Sequence, residues 1–444
     1  YLDLAKFFLD ERGRYFGGEK HGPGDPFAVY NSNEYLQNHK PVLEQDEAVG
    51  HAVRAMYMYA GMADVAALGG WPEYVAAIDR LWANVTGKKM YLTGGVGARE
   101  ADEGFGADYE LPNAGYAETC ASVGNALWNH RLFLLHGDAK YVDVLERIMY
   151  NGLISGVSLD GTKFFYQNPL ESAGGYGRSP WFEVACCPPN IARFLPSVPG
   201  YLYAQTEDTL YVNLFAAGTA KVDIGGTKDI EVIQKTNYPW EGAVRIGVNP
   251  AWSAAFVLAV RIPGWARNEA VSGGLYRFLD PSEQQVKIWL NNKPVTPPIE
   301  KGYALFKRTW RKGDVVTLSL PMPVRRVVAD ERVRGDAGMV ALQRGPVVYC
   351  VEATDNGADV RELALPDDAK LQAFFRPDFL GGVTFIQGPG AVAGMGADGK
   401  PVAVKRELLA IPFYVWANRG AGAMTVWLKR GQVSTFQHSG AGRR

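Results

Sequence analysis

At 444 residues the chain is too long for one ordinary core, so two or three domains are expected. Its 46 Lys plus Arg against 47 Asp plus Glu leave a net charge of -1, which gives a nucleic-acid backbone or an anionic bilayer nothing to grip. Nucleic-acid and membrane partners are therefore not expected, whereas 47% hydrophobic residues can bury large cores and 12% aromatic residues suit packed sheets and the stacking of flat ligands or sugars.

The chain opens Tyr1-Leu-Asp-Leu-Ala-Lys6, with no initiator Met, no basic start and no small-residue cleavage site. A trimmed start and a cytoplasmic location follow as expectations. The longest clean apolar run, Ala254 to Val260, is strand-sized and far below the roughly 18 to 20 residues of a membrane span. Apolar residues then recur at helical spacing. Val49, Ala52, Val53, Met56, Tyr57 and Ala60 make one stripe; Tyr74, Ile78, Leu81, Trp82 and Val85 make a second. The spacing predicts a long helix after Glu118, burying Val123, Ala126, Leu127, Leu134 and Leu135, and another over Tyr141 to Ile154. Residues 1–204 form a helical domain on this pattern.

From about residue 205 the period becomes two. Thr209 to Phe215, Val257 to Ile262, Val286 to Leu290 and Val315 to Leu320 predict strands of a β-sandwich over 205–322. Pro321-Met-Pro-Val324 serves as a linker. Val340 to Leu342, Val347 to Val351, Ile411 to Trp416 and Met424 to Leu428 predict a second sandwich over 323–444, with the Gly-rich stretch 388–400 as a mobile loop. The fold class expected is multidomain, α then β.

Chemistry concentrates between Tyr91 and Cys120, where Glu100, Asp102, Glu103, Asp108, Glu110 and Glu118 crowd a Gly-broken segment. A solvated acidic loop accounts for them as well as a site does. Gly94, Gly95 and Gly97 do not make a phosphate cradle, because no Lys-Ser or Lys-Thr follows them. Four cysteines are too few for a disulfide scaffold of this size, and Cys186 and Cys187 are adjacent and poorly placed to bridge each other, so reduced thiols are expected. Glu118 and Cys120, with Cys186 and Cys187, offer one carboxylate and three thiols, a tetrahedral set that suits zinc. Spacing alone leaves three readings open: inert buried cysteines, a closed structural metal site, or a reactive one.

Six segments resemble glycoside hydrolase family 127, the β-L-arabinofuranosidases: Glu44 to Arg54, Tyr57 to Asp64, Asp108-Tyr-Glu-Leu-Pro-Asn113, Ala117-Glu-Thr-Cys-Ala-Ser122, Phe164-Phe-Tyr-Gln-Asn-Pro-Leu170 and Ala185-Cys-Cys-Pro-Pro-Asn190. The similarity runs over residues 1 to about 210. It implies an (α/α)6-barrel-type catalytic domain, incomplete in this chain, followed by two β-sandwich domains. It also implies zinc ligands Glu118, Cys120, Cys186 and Cys187, with Cys186 as nucleophile and Glu103 as acid/base. His51 and Tyr166 are then expected to line the sugar pocket, and His39 falls in a matching segment; His21, His130, His136 and His438 receive no role.

The implied chemistry is retaining hydrolysis that releases β-L-arabinofuranose from plant-type glycans or glycoproteins, with a thiolate in place of one of the usual two carboxyls. Asp102, Glu100 and the anionic cluster are expected to raise the pKa of Glu103. An oligosaccharide or smaller sugar is the expected partner. Twelve barrel helices need roughly 250 to 350 residues. The 204 available leave exposed barrel edges, which favour association between copies. Two rival readings stand beside hydrolysis. One is a zinc-stabilised carbohydrate-binding or assembly protein without turnover. The other is a lyase or epimerase in which Glu103 or His51 abstracts a proton.

Overall fold

A computed structural model describes residues 1–14, 32–224, 226–357, 360–395 and 401–431. His21 and His438 lie outside them. The first two hundred residues are built on helices α1 (Leu2–Asp10), α2 (Ala52–Gly69), α3 (Pro72–Asn84), α4 (Thr119–His136), α5 (Ala139–Ile148) and α6 (Cys187–Phe194). Local chemistry sets their ends. His51 caps α2 by accepting the Arg54 N–H on its ring, and Gly70 closes the helix in the left-handed conformation. Pro72 opens α3, and Gly137 ends α4 at φ 62°.

The second stripe is buried in full: Tyr74, Ile78, Leu81, Trp82 and Val85 all lie in the core. The first and third stripes need correction. Tyr57 is 39% exposed and Leu134 60% exposed, because α2 buries a face centred on Ala55, Met56, Tyr59, Met62 and Ala66, and α4 buries Leu132 and Phe133 instead. The helix predicted to run to Ile154 ends as an α-helix at Ile148 and continues through a π turn, Met149–Leu153.

Among the described residues the strands form three sheets. A five-stranded sheet holds Tyr303–Trp310 antiparallel to Ala254–Arg261, which runs parallel to Thr209–Val212. A six-stranded sheet holds Lys287–Leu290, Asp314–Ser319, Ala243–Asn249, Thr227–Thr236 and Gly218–Ile224 in that order, with Lys293–Pro294 at its edge. The third sheet, of eleven strands, is mostly drawn from residues beyond 323 but takes in two strands from earlier in the chain. Glu171–Ala173 pairs with Ala423–Thr425, and Tyr276–Phe278 pairs with Val324–Ala329. Backbone ladders therefore tie the last third of the chain to both preceding parts.

The Gly-rich stretch 388–400 is for the most part not a loop. Val383–Met395 is a strand whose residues 386–395 pair residue for residue with 401–410; residues 396–400 lie outside the described residues. Its glycines permit close approach, since a Cβ on Gly388 would stand 2.8 Å from the Lys370 carbonyl oxygen. Ile411 to Trp416 is strand only to Pro412 and then turns through Phe413–Val415. Met424 to Leu428 is broken between Thr425 and Leu428. Among the described residues no helix is long and apolar enough to cross a membrane.

Candidate active site

The starts of three helices carry the candidate residues. Glu118 is the cap residue of α4 and Cys120 lies in its first turn; Cys186 is the cap residue of α6 and Cys187 its first residue; His51 caps α2. Helix N-termini present unpaired N–H groups and a partial positive charge, so anionic side chains gathered there are favoured. The glycine run serves this packing rather than a ligand. Gly94 (φ 83°) turns against α5, where a Cβ would stand 2.6 Å from Ile148 Cγ1, and a Cβ on Gly97 (φ 96°) would stand 3.1 Å from the Ala52 Cβ.

The four proposed ligands come together. Cys120 Sγ lies 3.5 Å from Cys187 Sγ, and Cys186 Sγ 3.7 Å from Cys187 Sγ. Glu118 Oε1 lies 3.4 Å from Cys186 Sγ and 3.6 Å from Cys187 Sγ. Cys120, Cys187 and Glu118 are buried and Cys186 is half-buried. No lysine or arginine bonds to the set among the described residues, and the second carboxylate oxygen, Glu118 Oε2, is buried without a hydrogen-bond partner. A buried acceptor left unsatisfied costs about 1 to 3 kcal/mol, more for a charged group. A cation among these atoms removes that cost, and the cluster could hold a metal ion.

Four acids this close cannot all ionise side by side. The Cys186 thiol is pulled far below its usual range, mainly because the Cys120 and Cys187 thiols donate to it. Those two thiols are held up correspondingly, Cys120 by its bond to Cys186 and Cys187 by burial. Burial and the charge on Cys186 push the Glu118 carboxyl up to about 9. Cys350, by contrast, is fully buried in the strand Val347–Glu352, and burial raises its thiol.

Glu103 stands beside the cluster. It occupies a tight turn in which the Gly104 N–H bonds the Arg99 carbonyl, and it adopts φ 51°, a conformation uncommon for residues other than glycine. The Glu103 carbonyl accepts from the Ala52 N–H, which anchors the turn to the start of α2. Its carboxylate receives the His51 ring at Oε2 (2.9 Å) and the Tyr116 hydroxyl at Oε1 (2.9 Å). His51, Glu103 and Glu118 offer atoms within 4.8 Å of one another.

The expected rise in the pKa of Glu103 is not what the surroundings produce. Hydrogen bonding from His51, with a smaller contribution from Tyr116, holds its carboxyl below the usual range against the opposing effect of burial. Of the neighbours expected to raise it, Cys186 does so only weakly, and the other two face elsewhere: Arg99 pairs with Asp102 at 2.6 Å, and Gln167 bonds Glu100 at 3.1 Å. Nor is the segment uniformly solvated, since Asp102 and Glu118 are buried.

Tyr166 places its hydroxyl 3.0 Å from Cys186 Sγ, with its ring edge-on to Phe182. Its backbone carbonyl accepts from the Thr119 N–H, locking it to the start of α4. His39 is not brought to this group: it is half-buried among Glu34, Lys40, Asp46 and Glu47, and its Nδ1 has no partner. Two residues at the site escaped the sequence reading. Tyr116 holds Glu103, and Asn190 accepts from the Tyr57 hydroxyl at 2.9 Å beside the cysteines. Both lie within or next to the quoted motifs, which was the available signal.

A buried thiol and carboxylate cluster that could hold a metal ion thus faces a second, doubly held carboxylate. Comparison with known proteins gives the family. Residues 1–200 match the β-L-arabinofuranosidase GH127 catalytic domain, 209–322 the GH127 middle domain and 324–429 the glycoside hydrolase family 127 C-terminal domain. A protein of Bifidobacterium longum subsp. longum named non-reducing end β-L-arabinofuranosidase is 34% identical over 468 residues, spanning 97% of this chain and 68% of its own length. A solved GH127 β-arabinofuranosidase superposes with a TM-score of 0.91 at 47% identity, covering 98% of this chain and 66% of that one. The GH127 β-L-arabinofuranosidase of Geobacillus stearothermophilus T6 gives a TM-score of 0.87 at 42% identity, covering 97% and 69%.

The chain belongs to glycoside hydrolase family 127 and has that family's three-domain architecture. It spans about two thirds of the length of these relatives, 68% of the Bifidobacterium protein and 66% of the first solved structure.

Proposed function

We propose that the chain is a retaining glycoside hydrolase that releases β-L-arabinofuranose from plant-type glycans or glycoproteins, with Cys186 as nucleophile, Glu103 as acid/base and a zinc ion held by Glu118, Cys120, Cys186 and Cys187. The shape of the cluster carries this reading. Zinc with sulfur at about 2.3 Å and oxygen at about 2.1 Å has tetrahedral edges of about 3.8 Å between sulfurs and about 3.6 Å from sulfur to oxygen. Two of the three sulfur pairs stand at 3.5 and 3.7 Å, and two of the three sulfur–oxygen pairs at 3.4 and 3.6 Å. Thiolates select zinc over the hard cations that a carboxylate alone would favour. We further assign residues 1–204 to part of an (α/α)6 barrel and 205–322 and 323–444 to two β-sandwiches, with His51 and Tyr166 lining the sugar pocket and His39 in an outlying position.

When bound, the ion keeps its thiol ligands deprotonated at neutral pH. Cys186 Sγ attacks the anomeric carbon, forming a carbon–sulfur bond as the glycosidic carbon–oxygen bond breaks. The bonding pair leaves on the departing oxygen, which takes its proton from Glu103. Water then attacks the same carbon, Glu103 accepts its proton, and the carbon–sulfur bond breaks to return the thiolate. Two displacements at one carbon retain the anomeric configuration. The two donors on Glu103 favour its ionised form, which is the form the second step requires. Tyr166, with its hydroxyl 3.0 Å from the attacking sulfur, is close enough to touch a sugar bound there.

The test is a sugar bearing an epoxide or iodoacetamide group in place of its leaving group, followed by peptide mapping. A single adduct on Cys186, together with retention seen by proton NMR during turnover of an aryl β-L-arabinofuranoside, is the expected result. Adducts confined to Cys350, or an inverted product, would contradict the proposed roles.

A further inference from the structure

We infer that Tyr116 is a positioning residue that fixes the plane of the Glu103 carboxyl for proton transfer to the leaving oxygen. The inference rests on the acid/base role of Glu103 proposed above. A carboxyl on a flexible side chain can rotate about its last torsion and swing as a whole, and a transfer geometry displaced by about 1 Å can cost about 10²-fold in rate.

Here both oxygens are held, each by its own donor. His51 Nδ1 accepts the Arg54 N–H at 3.3 Å, so in the neutral ring the proton resides on Nε2. That Nε2–H points at Glu103 Oε2, 2.9 Å away, and the tautomer is thus fixed by the start of α2. The Tyr116 hydroxyl donates to the other oxygen, Oε1, at 2.9 Å. One anchor leaves the carboxyl free to twist about it, while two on different oxygens fix the plane. Each oxygen keeps a lone pair, so a proton can still pass to or from the substrate.

Tyr116 is itself held. It is buried to 7% exposure, its carbonyl accepts from the Asn168 N–H, and the Asn168 side chain bonds the Ala117 carbonyl and the Thr119 and Ser155 hydroxyls. Ala117 next to it adopts φ 41° and donates its N–H to the Gly97 carbonyl. That strained backbone aims Tyr116 at Glu103 while Glu118, two residues on, faces the cysteines.

The experiment compares kcat/KM for 4-nitrophenyl and methyl β-L-arabinofuranosides in the full chain, in Tyr116→Phe and in Glu103→Gln. The 4-nitrophenolate departs without a proton, whereas methanol requires one. For Tyr116→Phe we expect a loss of about 100-fold on the methyl glycoside and under about threefold on the nitrophenyl glycoside, in kcat rather than KM. Equal loss on both substrates, or no loss on either, overturns the inference. Full activity of Glu103→Gln on the methyl glycoside would instead overturn the acid/base role itself. Should Tyr116→Phe fail to fold, 4-fluorophenylalanine at position 116 keeps the volume without the donor. The same selective loss is expected of it, and its absence counts equally against the inference.

Discussion

Two buried polar clusters in this molecule invite comparison, and only one has the composition of a site. At the junction of α5 with the five-stranded sheet, Arg261 is fully buried against Asp143, at 2.6 Å, and Glu146. Glu146 also accepts from the Tyr238 hydroxyl at 2.7 Å and the Trp265 ring at 3.3 Å, and the Asn213 carbonyl accepts from Arg261. Acid is matched there by base, which is how a folded chain satisfies charges out of water. At the starts of α4 and α6, three thiols and a carboxyl meet with no base among them, and Glu118 Oε2 is left unpaired. Burial alone does not distinguish a site from a structural lock; the sign of what is missing does.

The difference can be broken by substitution, starting where the effect is greatest. Cys186→Ala should lower kcat/KM on an aryl β-L-arabinofuranoside by at least about 10⁴-fold, the scale set by loss of a catalytic nucleophile. Circular dichroism should show the fold intact where three ligands keep the ion. Cys120→Ala removes a proposed ligand to which no part in the chemical steps is assigned. It should reduce bound zinc below one per chain by elemental analysis and lower the Tm by about 10 °C, because the metal's binding energy is part of the folding energy.

Arg261→Leu should do the reverse. Leaving Asp143 and Glu146 without their base should cost about 3 to 5 kcal/mol in denaturant unfolding while zinc content stays unchanged.

Another buried acid supplies the smallest and subtlest effect. Asp336 lies at 5% exposure with Oδ1 unpaired, and burial pushes its carboxyl up to about 8. The folded chain therefore holds a proton that the unfolded chain releases above about pH 4. Stability from this group falls as pH rises from about 4 to about 8 and levels off beyond. Asp336→Asn should flatten that decline and raise stability at pH 7 by about 2 to 4 kcal/mol, as chemical melts across the range will show.

Much of the framework was legible because it is local. The stripe Tyr74 to Val85 and the unbroken apolar run Ala254 to Val260 announce their burial directly. Gly218–Ile224 was hidden because its outer positions are small or charged, and Val383–Met395 because its glycines imitate a loop where they in fact allow close packing. The candidate ligands were found through the order of motifs, since nothing local links Cys120 to Cys187 across 67 residues. What could not be read was the direction in which charged side chains turn. Asp102 adjoins Glu103 in sequence yet is paired with Arg99, while the groups that govern Glu103 are His51, 52 residues earlier, and Tyr116. A pKa depends on such partners, and for that reason the expected rise became a fall.

The central claim is that one cation gathers Glu118, Cys120, Cys186 and Cys187. Anomalous diffraction from crystals of the full chain, recorded on both sides of the zinc edge, tests it most directly. The account predicts a single strong peak about 2.3 Å from three Sγ atoms and about 2.1 Å from a Glu118 oxygen, present above the edge and lost below it. A well-ordered cluster with the three sulfurs in place and no anomalous peak between them, from crystals grown with zinc, would contradict it.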